Sequence, residues 1–229
     1  MIETEEIVNG FKPLVDMTTK NKSFLAMQVH LRKLGIENNR FFLKLYDPSL
    51  KNVNPHDKNL TVEQQGAILR EIMVNKWYFI REVIRIPVAG GLIPYELNRG
   101  NLALSWCKEK NLNTIILMPR QNGKTIGSII DDIWVYHFGS KNSNFIYSNK
   151  SEADAMGNLK RFKDITKALP SFIRDTFTDI KKDVDNKTEI VLSKLNNSIR
   201  VISCAIDESQ AQKLGRGLTT PILISPLYK

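Results

Sequence analysis

The sequence predicts an α/β protein, a three-layer core on a mainly parallel sheet preceded by a smaller, mostly helical N-terminal part. Three observations predict it. Beyond about residue 95, apolar strand-like runs alternate with stretches of helical periodicity, the pattern of a parallel sheet covered by helices on both faces. Within that region Thr114 to Thr125 joins an apolar run to a helix through a loop ending in Gly123-Lys124-Thr125. Ahead of it, Pro87 to Pro94, with Gly90 and Gly91, interrupts the apolar pattern and suggests a boundary between residues 1–90 and 91–229.

The elements follow in chain order. The first twenty residues are polar and are expected to fray. Phe24 to Leu34 has helical spacing, with Ser23 as the N-cap and Gly35 as the stop. Phe41 to Tyr46 is a compact apolar segment, and Asp47 to Asn59 is a turn-rich loop with Pro48 and Pro55. Thr61-Val-Glu-Gln64 has the form of a capping box opening a helix to about Asn75, and Trp77 to Ile86 continues apolar. After the break, Asn101 to Lys110 reads as helix, Thr114 to Met118 as strand and Thr125 to Phe138 as helix. Asn144 to Ser148 is the next strand, and Ser151 to Ala168 a helix ended by Pro170. Glu189 to Leu192 and Ser198 to Ser203 form a hairpin around Asn196-Asn197. Asp207 to Leu214 is a short helix and Pro221 to Ile224 a strand.

Composition narrows the function classes. The chain has 229 residues, 42% apolar and 25% charged, a globular rather than disordered balance. Its net charge of +9 favours a polyanionic partner such as nucleic acid, although the basic residues are spread along the chain. No apolar run approaches membrane-spanning length, and the acidic start Met1-Ile-Glu-Thr-Glu-Glu lacks a signal-peptide core, so a cytosolic chain is expected. Cys107 and Cys204 lie far apart without metal-ligand company, and His30, His56 and His137 share no ligand spacing.

The chemistry concentrates in Thr114 to Thr125. A strand, a tight Gly-containing loop and a helix N-terminus gather main-chain N–H groups and partial positive charge around one point, which favours a polyphosphate. Lys124 would neutralise the outer phosphates, and the Thr125 hydroxyl would complete a Mg²⁺ shell. The strict phosphate-loop pattern asks for another Gly where this chain has Met118.

The order of further motifs is more specific. Leu97-Asn-Arg-Gly-Asn101, Ile116-Leu-Met-Pro-Arg-Gln-Asn-Gly-Lys-Thr125, Tyr147-Ser-Asn-Lys150 with Arg161 downstream, Leu169-Pro170, and Leu214-Gly-Arg-Gly-Leu-Thr-Thr-Pro221 follow one another. Together they resemble the ATPase domain of the large terminase subunit of tailed bacteriophages, the motor that packages DNA into the prohead. The likeness covers roughly residues 75–225 and implies a P-loop NTPase-type core. In that family the first loop Gly is commonly replaced and Arg-Gln precedes Gly-Lys-Thr, so Met118 and Pro119-Arg120-Gln121 fit the pattern.

The resemblance implies a site. Gln121, Asn122, Gly123, Lys124 and Thr125 would cradle ATP and Mg²⁺, with Arg120 acting in cis on the developing γ-phosphate charge. Asn98-Arg99 falls where the family often has a Gln recognising adenine, and the residues suit helix capping equally well. Asn149 and Lys150 are second-rank ligand contacts, whereas Arg161 beside Lys160 and Lys163 reads as a solvated basic face. Implied partners are double-stranded DNA, the portal and prohead, the small terminase subunit and further copies in a ring, in the cytoplasm of an infected bacterial host.

One part of the family pattern is missing. The family places an Asp-Glu pair after the strand that follows Thr-Thr-Pro, but here Ser225-Pro226-Leu227 stands there. Asp207-Glu208 also follows an apolar run, yet its place in the pattern suits helix-opening acids better, and Asp131-Asp132 reads as structural. The expectation is therefore the N-terminal piece of a terminase interrupted before its acidic strand. Two alternatives stand beside it, a non-hydrolysing nucleotide-binding or assembly fragment and another nucleic-acid-translocating P-loop ATPase.

Overall fold

Local sequence chemistry sets the first helices. The computed structural model describes residues 19–36, 41–119, 121–149, 151–203 and 222–224. Helix α1, Lys22–Lys33, is capped by Asn21, whose Oδ1 accepts from the Ser23 N–H and hydroxyl. The cap is thus Asn21 rather than the expected Ser23, which lies in the first turn. Phe24, Met27 and Leu31 form the buried stripe, and Gly35, at φ +75°, ends the helix as expected. Helix α2, Val62–Val74, opens with the predicted capping box: Gln64 N–H donates to the Thr61 hydroxyl and the Thr61 N–H to Gln64 Oε1.

Polar groups stitch these helices to the chain around them. Buried Glu71 on α2 accepts the Tyr46 and Asp47 N–H groups, both at 2.9 Å, and the Asn75 amide at 2.6 Å. Short helix α3, Lys76–Tyr78, runs into a π-helical turn, Phe79–Val83. There Arg81 is fully buried and donates to the Phe42 carbonyl (2.6 Å) and the Lys44 carbonyl (3.3 Å), with Glu82 as its ion-pair partner. A buried guanidinium is tolerable because its donors are spent in this way.

The segment read as a break is a hairpin. Strand β1, Arg85–Val88, pairs antiparallel with β2, Gly91–Pro94, in a two-stranded ribbon. Pro87 is admissible because a two-stranded ribbon has only edges, where a missing N–H need not break a ladder. Helix α4, Arg99–Glu109, follows with Asn98 as its cap.

The remaining elements are helix α5, Lys124–Trp134, continued by a π-helical turn at Val135–Gly139, then β3, Asn144–Asn149, and α6, Glu152–Lys167. Beyond them lie α7, Ser171–Arg174, and strands β4, Val184–Asp185, β5, Glu189–Leu192, β6, Asn197–Ser203, and β7, Ile222–Ile224. The sheet order is β4-β5-β6-β3-β7. β3 is parallel to β6 and β7, while β4 to β6 form an antiparallel meander. The protein is therefore mixed α/β, with a mixed rather than mainly parallel sheet. The β5–β6 hairpin is present as expected, although its turn is 193–196 and Asn197 belongs to the strand.

Phe145 and Tyr147 lie on one face of β3, where ring contacts join them to Tyr136 and to Phe162 of α6. His137 is buried beside them, stacked on Phe162 with centroids 6.1 Å apart. Its Nδ1 meets the Ile133 carbonyl at 2.8 Å, so that nitrogen carries the proton of the neutral ring. Burial lowers its pKa to about 4, with the Ile133 carbonyl opposing the shift.

The chain divides into two compact units, one of Met1–Lys124 with Ala168–Pro170 and one of Thr125–Lys167 with Ser171–Lys229. The β1–β2 hairpin, where the sequence suggests a boundary, lies within the first unit. No described helix is long and apolar enough to cross a membrane.

Candidate functional site

The strand expected to lead into the Gly-Lys-Thr loop does not form. Residues 112–119 hold no strand, and no main-chain hydrogen bond is made by residues 114–119 among the described residues. Ile115 and Leu117 are 91% and 93% exposed. This corrects the first part of the strand–loop–helix reading. A β-prone run becomes a strand only where a neighbour takes its N–H and C=O groups, and the described sheet contains no strand paired with it.

The described residues of the loop rest on the start of α4. Asn98 Oδ1 accepts from the Asn101 N–H at 2.9 Å, capping the helix. Its Nδ2 donates to the Asn122 carbonyl at 3.0 Å. Met118 lies against Gly100, where a Cβ would fall 2.5 Å from its Cε and 3.2 Å from its Sδ. The residue that breaks the strict phosphate-loop pattern therefore packs where Gly100 leaves room for it.

Two left-handed residues shape the turn into α5. Gln121 has φ +62° and Gly123 φ +70°, with Asn122 between them on the negative side. Such alternation is the backbone pattern of main-chain anion nests. For Gln121 the conformation costs about 1 kcal/mol, so it persists only where the surroundings hold it. At Gly123 a Cβ would lie 3.1 Å from Asn101 Nδ2 and 3.9 Å from Asn98 Nδ2, which adds crowding to the positive φ. Helix α5 then begins at Lys124, so its N-terminal N–H groups and partial positive charge follow directly on the loop.

The structure thus brings Asn98, Asn122, Gly123 and Lys124 into one neighbourhood, with Gln121 exposed beside them. Thr125 follows in α5 and is half-buried, and Arg99 is exposed at the first position of α4. Arg120, Lys150, the Asp207-Glu208 pair and Leu214 to Pro221 lie outside the described residues. Asn149 is buried at the end of β3, paired with Ser203. Arg161 is exposed on α6 and donates to Asn158 Oδ1 at 2.9 Å, in keeping with a solvated basic face.

Asp131 and Asp132 are buried in α5, and Asp132 Oδ2 accepts the Tyr147 hydroxyl at 3.3 Å. Burial first, then the Asp132 charge, pushes the Tyr147 hydroxyl well above its ordinary pKa, so it stays a donor to that carboxylate. The contact ties α5 to β3. Among the described residues no group of three or more His, Cys, Asp and Glu side chains is placed to hold a metal ion.

No protein-family model matches the chain. A search of curated proteins likewise finds no match.

Sequence reading missed Gly100 and Asn101 as supports of the loop. Asn101 is only 3% exposed, and its Oδ1 has no hydrogen-bond partner among the described residues. The available signal was spacing: Asn98 and Asn101 stand at the cap and third positions of a helix, next in space to a loop far ahead in sequence. Periodicity alone does not reveal that neighbour.

Proposed function

We propose that this chain is the ATP-binding part of a DNA-packaging motor of the terminase large-subunit type. The observation that carries the proposal is the tight loop of left-handed Gln121 and Gly123 opening directly into a helix at Lys124. A concave main-chain turn at a helix N-terminus, with a Lys at the first helical position, suits a polyphosphate. The motif order shared with terminases supplies the motor reading, and the +9 charge suits double-stranded DNA as the moved substrate.

In this reading the Gln121, Asn122 and Gly123 N–H groups orient the phosphates and Lys124 offsets their charge. The Thr125 hydroxyl is the one side chain of the loop suited to a Mg²⁺ shell, and Arg120 is the candidate cation for charge developing on the γ-phosphate. Bound Mg²⁺ would supply charge neutralisation at the phosphates. The portal, the prohead, the small terminase subunit and a ring of copies remain partners by resemblance, in the cytoplasm of an infected bacterial host.

A second reading is nucleotide binding without turnover. It is favoured by Ser225-Pro226-Leu227 after β7, where the family carries its acidic pair, since loss of a general base typically costs 10²–10⁴-fold in rate. Calorimetric titration of Mg·ATP into wild type and Lys124→Ala tests the shared core of both. Binding at least tenfold weaker in the variant is expected, and wild-type binding no better than the variant's would sink the nucleotide site. Turnover measured on the same wild-type protein then separates motor from non-hydrolysing fragment.

A further inference from the structure

We propose that Asn98 is a positioning residue that fastens the nucleotide loop to the first turn of α4, a role that rests on the nucleotide-binding reading above. Its amide joins two main-chain groups that are distant in sequence. The oxygen caps α4 through the Asn101 N–H (2.9 Å), and the nitrogen holds the Asn122 carbonyl (3.0 Å). Ser, Thr and Asp also cap helices well, but none offers an acceptor and an amide donor on the same short stem. One N–H and one lone pair of the Asn98 amide are thus engaged by backbone groups on both sides of the link.

The surroundings of this link share its geometry. Asn122 sits between the two left-handed residues, so a bond to its carbonyl acts where the loop reverses hand. Asn101 lies against Gly123, buried, at the cost of an amide oxygen without a partner among the described residues. Met118 anchors the loop's entry on Gly100. Three successive supports thus come from Asn98, Gly100 and Asn101, all on one helical turn. The conformation that would receive phosphates is preformed by α4, and Asn98 is the member that makes a directed bond to it.

The roles of cap, base contact and loop tether separate experimentally. The full chain is titrated with Mg·ATP and with Mg·tripolyphosphate, which has no base, as wild type, Asn98→Ser and Asn98→Ala. Ser keeps the cap acceptor and loses the amide donor, whereas Ala loses both. Both variants are expected to bind ATP and tripolyphosphate about fivefold more weakly, the value of one neutral hydrogen bond, while Ala, which also loses the cap, lowers the melting temperature more than Ser. Unchanged binding of both ligands by Asn98→Ser would overturn the proposal. A loss confined to ATP would make Asn98 a base contact, and a loss seen only with Ala would make it a cap alone. Failure of the nucleotide reading looks different: wild type would bind neither ligand better than Lys124→Ala, and both proposals would fall together.

Discussion

His137 gives a stability prediction whose size can be worked through. The ring is buried among Tyr136, Phe138 and Phe162, and its pKa falls from the ordinary 6.5 to about 4. A base with a lowered folded-state pKa is protonated first in the unfolded chain. Between about pH 6.5 and 4 the unfolded state binds more protons, so stability falls as the pH falls. At pH 7 the difference is negligible, and at pH 5 it amounts to about 2 kcal/mol from this ring alone. For a chain of this length that corresponds to roughly 4–8 °C in melting temperature. Replacing His137 by Phe keeps an aromatic ring against Phe162 and removes the titration. Urea unfolding followed by tryptophan fluorescence at pH 7 and pH 5 should show a pH-dependent loss about 2 kcal/mol smaller in His137→Phe than in wild type. His56, also lowered by burial, titrates in both proteins and cancels in the comparison. Equal losses in the two proteins, within about 0.5 kcal/mol, would refute a neutral, desolvated His137.

Two further predictions address the loop and its approach. Gly123→Ala places a Cβ on a residue at φ +70° and 3.1 Å from Asn101 Nδ2, so a loss of about 1–2 kcal/mol is expected in urea unfolding, with weaker Mg·ATP binding by calorimetry. A variant as stable as wild type would mean that the left-handed turn is not formed. Ile115→Ser and Leu117→Ser change side chains that face solvent and should each stay within about 0.5 kcal/mol of wild type. A loss of about 2 kcal/mol or more in either would show that this run is buried as a strand after all.

The features legible in sequence were those whose partners lie within a few residues. The Thr61–Gln64 capping box, the Gly35 stop and the helical periodicity that gives α5 are of that kind. So is the 189–203 hairpin, since its turn and both strands are contiguous. Missed or misplaced features depend on neighbours remote in sequence. The β1–β2 hairpin is the exception, a local feature that reads as a break because Pro87 and the Gly90-Gly91 pair carry the chemistry of a loop. Alternation of strands and helices predicts a mainly parallel sheet, and what it does not supply is that the β5–β6 hairpin joins that same sheet beside β3, with β4 added antiparallel at its edge.

The Thr114 to Thr125 stretch shows both limits together. Its apolar half carries the composition of a strand, yet composition cannot provide the ladder that would make it one, and Ile115 and Leu117 stay in solvent. Its glycine half reads as a phosphate loop in which Met118 departs from the strict pattern but fits the terminase one. The packing of Met118 on Gly100 and the Asn98 bond to Asn122 show that the loop takes its support from α4. A glycine at position 118 would remove that packing, so here the departure from the strict pattern is matched by a compensating small residue eighteen positions earlier. The phosphate-binding reading therefore depends on the turn 121–123 and its α4 platform, and it does not require residues 114–118 to be a strand.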